Sequence, residues 1–215
     1  MIKSRKRILG RVLALLLVGF IALSVFISFF PNSIVDREFS EEVQEHQNVF
    51  LDSIMKMISW FGYMPFSLIM VLVIACIFYL SKFKREAIFI VITLSSGILS
   101  SVLKIAINRP RPTVDLVRIV EKANHQSFPS GHVLFYVVFF GFIVLLMYHI
   151  KSMEYWFRWT VTYFCLFLIF TIPFSRVYLG AHWFTDVLGG FMIGLIWLAL
   201  ISYFYLNKPV KPGVE

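Results

Sequence analysis

His182 and Asp186 stand four residues apart in the stretch AHWFTD. On a helix that spacing puts both side chains on one face, where the carboxylate can hold one imidazole nitrogen and leave the other basic. An oriented, basic imidazole is a nucleophile or a general base. A second histidine, His132, follows Pro129, Ser130 and Gly131 at the lip of a long apolar run. Two histidines and one carboxylate suffice for covalent phosphoryl transfer, in which one imidazole attacks and the other protonates the leaving oxygen. Spacing alone leaves open which of the two attacks, although the nearby Asp186 favours His182.

Lys104, Arg111 and Arg176 sit at the ends of other apolar runs, in LKIAINRPRP and PFSR. Asp186 is the only nearby anion inside such a run, and one carboxylate cannot neutralise three cations. The excess charge implies an anionic ligand. A tetrahedral phosphate fits, because arginine presents a planar fork of donors to its oxygens and lysine a point charge. Gly131 permits close backbone approach, and the N–H groups opening the helix after Ser130 add a positive dipole end. Histidines beside an aspartate also suggest a metal centre, but three adjacent cations repel a divalent ion, so neither metal nor other cofactor is expected. His46, His125 and His149 are expected to be structural or surface residues. Arg109, Arg118 and Lys122 share the loop RPRPTVDLVRIVEKANHQ and have two readings: they steer an anionic headgroup, or they are solvated.

These residues must be positioned by elements that live in lipid. The 215-residue chain is 59% hydrophobic and 15% charged, well away from the roughly 45–50% apolar and 25% charged composition of soluble domains. Its apolar residues gather into six runs, near 8–30, 63–81, 87–107, 131–150, 156–175 and 183–206. Each approaches the roughly 20 residues of a transmembrane helix. The first run is too long for the core of a signal peptide and reads as an uncleaved span. Cys76 and Cys165 fall inside spans as packing residues, without a disulfide framework. The formal net charge of +8 carries no basic stripe for a nucleic acid. Its cations mark one side of a membrane instead: KSRKR with Arg11, KFKR at 82–85, Lys151 with Arg158, and Lys208 with Lys211. Taken as cytoplasmic, they place both termini inside a plasma membrane and the segments near 31–62, 108–130 and 176–182 outside.

The expected fold is therefore all-α, six transmembrane helices in one bundle and a single domain over 1–215, with no obligate protein partner indicated. Between the first two spans, Phe39, Val43, Phe50, Ile54, Met57 and Phe61 recur at helical spacing opposite Glu41, Glu42, Glu45 and Asp52. This predicts an interfacial amphipathic helix over about 36–61, either a solvated connector or a lid over a lipid entrance. Gly190 and Gly194 have the spacing that lets two helices approach closely.

Lys104, six residues, then Arg111-Pro112; Pro129-Ser130-Gly131-His132; and Ser175-Arg176, five residues, His182, three residues, Asp186: in this order the chain resembles the three-part signature of the type 2 phosphatidic acid phosphatase superfamily. Reading Arg109-Pro110 as the end of the first motif would require lysine at 102, where Val102 stands. The motifs lie within 104–186, and the six-span layout extends the resemblance over nearly the whole chain. The resemblance implies a metal-independent lipid phosphatase that passes through a phosphohistidine. By motif position His182 would be the nucleophile, Asp186 its orienter and His132 the general acid that later activates water. Lys104, Arg111, Ser130, Gly131, Ser175 and Arg176 would bind the phosphate. Phosphatidate, phosphatidylglycerol phosphate and undecaprenyl diphosphate are not distinguished by these motifs. Two other classes share parts of the pattern. A vanadate-dependent haloperoxidase has a similar oxyanion pocket, but six spans count against it. A transporter or binding protein would hold lipid phosphate without cleaving it, and the paired His182 and Asp186 with a second histidine count against that.

Overall fold

In hydrocarbon every backbone polar group must bond within its own segment, so uncharged apolar runs of this length fold as helices. The computed structural model describes residues 2–207, with side chains from Arg7 onward, and these residues form α-helices and no strand. The helices are α1 (Ile2–Phe29), α2 (Ile34–Val43), α3 (Val49–Ser59), α4 (Phe66–Leu80), α5 (Lys84–Ile92), α6 (Ser95–Ile107), α7 (Gly131–His149), α8 (Tyr155–Tyr178) and α9 (Phe184–Asn207). The side chains of Lys3, Arg5 and Lys6, and the whole of Lys208 and Lys211, all counted above as inner charges, lie outside the described residues.

Five stretches are long and apolar enough to cross a membrane: Arg7–Phe29, Lys84–Ile107 (α5 with α6), Gly131–His149, Tyr155–Tyr178 and Phe184–Asn207. The chain is a multi-pass membrane protein. The run near 63–81 behaves differently from the other five. Its helix α4 has 15 residues, about 22 Å at 1.5 Å per residue. It joins Val49–Gly62 at a bend of 57°, and a sixth crossing is reached only when that bent pair is taken together.

Helix α7 occupies the centre. It is apolar all round, as a helix enclosed by others must be, and 67% of its apolar window is buried against 11% for α1. Phe135, Phe139 and Phe142 on one side and Tyr136, Phe140 and Ile143 on another fill the spaces toward its neighbours. Helix α9 lies close against it because of two glycines. A Cβ on Gly190 would sit 2.7 Å from the Ser130 carbonyl oxygen, and one on Gly194 would sit 2.9 Å from Val137 Cβ. The pair serves packing inside the bundle.

The segment expected as one helix over 36–61 is two. Ser33 caps α2, its hydroxyl accepting the Asp36 N–H at 3.2 Å, and Asn48 caps α3 by accepting the Leu51 N–H at 2.7 Å. The break between Val43 and Val49 resets the helical face. Phe39, Val43, Ile54 and Phe61 pack inward, whereas Phe50 and Met57 are exposed. The solvated-connector reading does not hold, because Asp36 and Asp52 are buried, although Glu41, Glu42 and Glu45 face outward. Asp52 accepts two hydrogen bonds from Arg118, at 3.0 and 2.7 Å, and a third from the Tyr178 hydroxyl at 2.8 Å. Gln44 donates to the carbonyls of Arg118 and Tyr178 at 2.9 and 2.8 Å and accepts from the Arg118 N–H at 3.1 Å. These helices therefore hold the 108–130 loop against the end of α8.

The contact of Gly190 with the Ser130 backbone yields a direct test. Gly190→Ala should destabilise the folded protein by about 1–3 kcal/mol, the usual cost of forcing atoms into a packed interior. It should also displace the start of α7. Thermal unfolding in detergent should show a lower midpoint, and turnover should fall further than the loss of folded protein explains.

Candidate active site

The start of α7 is fixed by its neighbours before any ligand arrives. The Ser130 N–H donates to the Asp186 carbonyl at 2.9 Å, tying the first turn of α7 to the first turn of α9. A Cβ on Gly131 would come within 3.0 Å of Ser100 Oγ on α6, a tight contact that would make the serine hydroxyl give way. The His132 imidazole packs its ring against the edge of Tyr63. It also fills the space beside Gly62, where a Cβ would fall 2.3 Å from His132 Cδ2. Among the described residues Ser96 Oγ and Trp183 Nε1 are buried without a hydrogen-bond partner, and so are a further three, Ser130 Oγ, His132 Nε2 and Arg176 Nε. All three belong to the motif residues, and three such groups converging in one protein end form a polar surface that a ligand can satisfy.

His182 lies in the short turn between α8 and α9 and is 3% exposed. Its Nδ1 is 3.5 Å from Asp186 Oδ2 and equally 3.5 Å from Ser127 Oγ, whose hydroxyl donates to the same Asp186 oxygen. Asp186 Oδ2 also accepts the Trp183 N–H at 2.8 Å. With Nδ1 facing this carboxylate, the proton belongs there and the Nε2 lone pair is left toward Arg111, whose Nη1 is 3.3 Å away. Burial, then the positive charges of Arg111, Lys104 and Arg176, hold the imidazole well below its ordinary pKa, so His182 is a neutral base at neutral pH.

Lys104 closes the last turns of α6 and donates to the carbonyls of Gln126 and Ser127 at 2.5 and 3.3 Å. Arg111 bridges the two sides of the site. Its Nε donates to the His125 carbonyl at 2.9 Å, Nη2 to the Asn124 carbonyl at 2.9 Å, and Nη1 to the Ala181 carbonyl at 2.6 Å. Burial and the adjacent Arg176 lower its pKa to about 10, so it stays charged at neutral pH. Arg176, with a side chain 1% exposed, reaches Glu121 Oε1 at 3.0 Å, Ser59 Oγ at 3.0 Å and the Tyr63 hydroxyl at 3.1 Å. The Tyr63 hydroxyl in turn donates to Glu121. The Ser175 hydroxyl is tied to α3, donating to the Met55 carbonyl at 2.6 Å and lying 2.7 Å from Ser59 Oγ. In this arrangement its one hydroxyl proton is taken by that carbonyl.

Two expectations from the sequence are corrected. Arg109 is neither a headgroup-steering nor a solvated residue: it is 3% exposed and forms ion pairs of 2.7 Å with both Asp36 and Asp186. Arg118 stays exposed, as a solvated loop residue would, and pairs with the Asp52 carboxylate. Asp186 is also not alone as a counter-ion, because Asp36 and Glu121 fold in from distant segments. Lys122, His46, His125 and His149 are exposed, as expected for surface residues. Gly62, Tyr63, Glu121 and Ser127 carry no periodic or spacing signal in the sequence. Only the excess of cations over Asp186 hinted that further partners exist.

This geometry, polar groups from four helix ends converging on the start of a buried helix, defines a membrane-embedded oxyanion site with a histidine–carboxylate pair. Comparison with known proteins gives the same class. The family model described as the PAP2 superfamily matches residues 85–209. The chain belongs to the PAP2 superfamily. It is 32% identical to phosphatidylglycerophosphatase B of Bacillus subtilis over 163 residues, covering 72% of this chain and 75% of that protein. It is 29% identical to an undecaprenyl-diphosphatase of Sulfolobus acidocaldarius over 147 residues, 58% of this chain and 66% of the relative. The fold matches the crystal structure of a transmembrane PAP2-type phosphatidylglycerolphosphate phosphatase from Bacillus subtilis with a TM-score of 0.80. That match has 23% identity and covers 93% of this chain and 98% of the other. The chain is therefore a phosphatase, not only a phosphate-binding protein.

Glu121 holds the donors of Arg176 that an incoming phosphate needs. Glu121→Gln should therefore raise the affinity for inorganic vanadate or phosphate by about tenfold, the scale of one charge-assisted contact. Inhibition titrations measure it, and unchanged or weaker inhibition would show that Glu121 does not compete with the anion.

Proposed function

We propose that the chain, acting as one domain, hydrolyses a phosphomonoester or diphosphate on a lipid through a phosphohistidine at His182. The observation that carries this reading is the pairing of His182 Nδ1 with Asp186 at 3.5 Å, which leaves Nε2 beside the Arg111 guanidinium. In the first step His182 Nε2 forms a bond to phosphorus as the bond to the lipid oxygen breaks, and His132 gives its proton to that oxygen. In the second, His132 takes a proton from water, the water oxygen bonds to phosphorus, and the N–P bond breaks to release inorganic phosphate. Lys104, Arg111 and Arg176 with the N–H groups at the start of α7 stabilise the charge that develops on the phosphoryl oxygens. They supply the positive charge a metal would otherwise bring, so the reaction needs no divalent ion.

The lipid tail has a route to this point. A cavity of about 530 Å³ lies between α4, α6 and α7, lined by Leu68, Leu94, Gly97, Ile98 and Phe135, and it ends at Gly62 and Gly131 beside His132. An apolar chain can lie there while its phosphate meets the polar groups. The named relatives act on a glycerophospholipid phosphate and on a polyprenyl diphosphate, so turnover of a panel of such lipids in detergent decides the substrate.

The two histidines should fail differently. In excess chelator, His182→Ala should show neither phosphoenzyme nor turnover. His132→Ala should lose about 10²- to 10⁴-fold and recover in part with a substrate whose leaving group needs no proton. Equal recovery of both variants would refute the division of labour, and dependence on an added divalent ion would refute the metal-free mechanism.

The site faces the non-cytoplasmic side in this proposal, with both termini inside. In support, the turn at Ser81–Phe83 and the α7–α8 connection, which together with the first turns of α5 and α8 carry Lys82, Lys84, Arg85, Lys151 and Arg158, lie at the helix ends remote from His132 and His182. In a background lacking Cys76 and Cys165, a cysteine at Asn124 should react with an impermeant thiol reagent on intact cells, and one at Phe83 should not. The reverse pattern would invert the topology.

A further inference from the structure

Arg109 lies outside the three motifs, yet it touches the carboxylate on which the histidine pair depends. All five of its N–H donors are used. Nη1 reaches Asp186 Oδ1 at 2.7 Å and Thr185 Oγ1 at 2.6 Å. Nη2 reaches Asp36 Oδ2 at 2.7 Å and the Pro31 carbonyl at 2.8 Å, and Nε reaches the same carbonyl at 3.1 Å. Asp36 is held as firmly. It accepts the Ser33 hydroxyl at 2.8 Å, and the Thr185 N–H and hydroxyl at 2.9 Å each. The chain thus carries a buried row of carboxylate, guanidinium and carboxylate, with side chains 0%, 1% and 0% exposed, that ends on the partner of His182.

We propose that Arg109, neutralised by Asp36, is a positioning residue for the His182–Asp186 pair, fixing one oxygen of Asp186 so that the other faces the imidazole and setting the net charge that the imidazole feels. The proposal rests on the reading of His182 as the nucleophile. The two oxygens of Asp186 divide the work: Oδ1 is held by Arg109, while Oδ2 takes Ser127, Trp183 and the His182 side. Without the Arg109 bond on Oδ1 only the Ser127 and Trp183 bonds on Oδ2 restrain the carboxylate about its last torsion. Helix α2 is then a strut: its first turn brings the charge that makes a buried guanidinium tolerable behind the active site.

The charge row predicts opposite effects from its two ends. With Arg109 and Asp36 both ionised, the row including Asp186 has one net negative charge. Arg109→Gln makes it more negative and the His182 imidazole more basic. Asp36→Asn makes it less negative and the imidazole less basic. The other charged and titratable groups around the pair, Lys104 on α6, Arg111 in the loop, His132 on α7 and Arg176 on α8, are common to every variant.

The experiment is the pH dependence of kcat/KM for purified, detergent-solubilised protein with a lipid phosphate, whose own ionisation is the same for each variant. His182 attacks as the free base, so a more basic imidazole moves the acid limb to higher pH. We expect that limb to rise by about one unit in Arg109→Gln, fall by about one unit in Asp36→Asn, and return to the wild-type position in the double variant, by the size of a neighbouring-charge effect. Should Arg109→Gln fail to fold, Asp36→Asn against the balanced double variant gives the same comparison. Turnover that falls only with the folded fraction, with limbs unmoved while His182→Ala is inactive, would make the row purely structural and overturn the proposal. Turnover surviving in His182→Ala would overturn it differently, by removing the nucleophile it is built on.

Discussion

Arg109 and Arg176 carry guanidinium groups into the protein with side chains only 1% exposed. An ionised group in such surroundings costs several kcal/mol unless opposite charge and hydrogen bonds meet it there. Helix α8 delivers Arg176 and the loop after α6 delivers Arg109, but neither of them carries a buried anion for its own cation within reach along the helix or turn: Arg109 pairs with α2 and α9, and Arg176 with the loop. Asp36 comes from α2, Asp186 from α9, and Glu121 from far along the same loop. Each anion arrives from a separate part of the chain, so matching the charges brings those parts together at one end of the bundle.

The scaffold around this end follows from that requirement. The 108–130 loop has little apolar surface with which to hold itself, and it is fastened by polar contacts at several points. Arg118 is bound to Asp52 and Gln44, Lys104 and Arg111 donate to the carbonyls of residues 124–127, and the Ser127 N–H donates to the Arg109 carbonyl at 2.9 Å. Gly180 lets the turn after α8 pass beneath it: its φ is +67°, and a Cβ there would meet the Arg118 carbonyl oxygen at 2.2 Å. The cores of α7, α8 and α9 provide rigidity, and the glycines on α9 bring the Asp186 backbone within reach of Ser130. Rigid helices set the distances, and the polar fastenings hold the loop to them.

The apolar runs of α1, α7, α8 and α9 were legible because a helix in lipid needs length and the absence of charge, both visible in one dimension. The run at 63–81 was legible as an apolar helix, but apolarity does not show that the chain bends by 57° before it. His132, His182, Asp186 and the cations were legible as a site because their residue types are costly at helix ends unless used. Gly62 and Tyr63 were not, since an ordinary glycine–tyrosine pair gains meaning only when His132 packs on it. Arg109 was misread for a related reason. Two residues from Arg111, it looks like a second loop cation, and nothing local reveals a partner 73 residues earlier and another 77 residues later. Side chains that pair over such separations leave no period in the sequence.

The two buried guanidinium groups differ in how replaceable their partners are. Arg109 is closed on every side, its donors saturated and both carboxylates sealed. Arg176 keeps Nε unpaired and faces Glu121, whose side chain is 18% exposed on a loop. In the proposed reaction a phosphate would displace the second partner and not the first. Lys104 and Arg111 meet mainly neutral carbonyls, so with Glu121 in place the four cations Lys104, Arg109, Arg111 and Arg176 outnumber Asp36, Asp186 and Glu121 by one. Without Glu121 the excess is two, the charge of a fully ionised phosphomonoester. In the proposed reaction the closed pair behind the histidine would keep its geometry fixed, while the open one in front would match the site's charge to the ligand that enters.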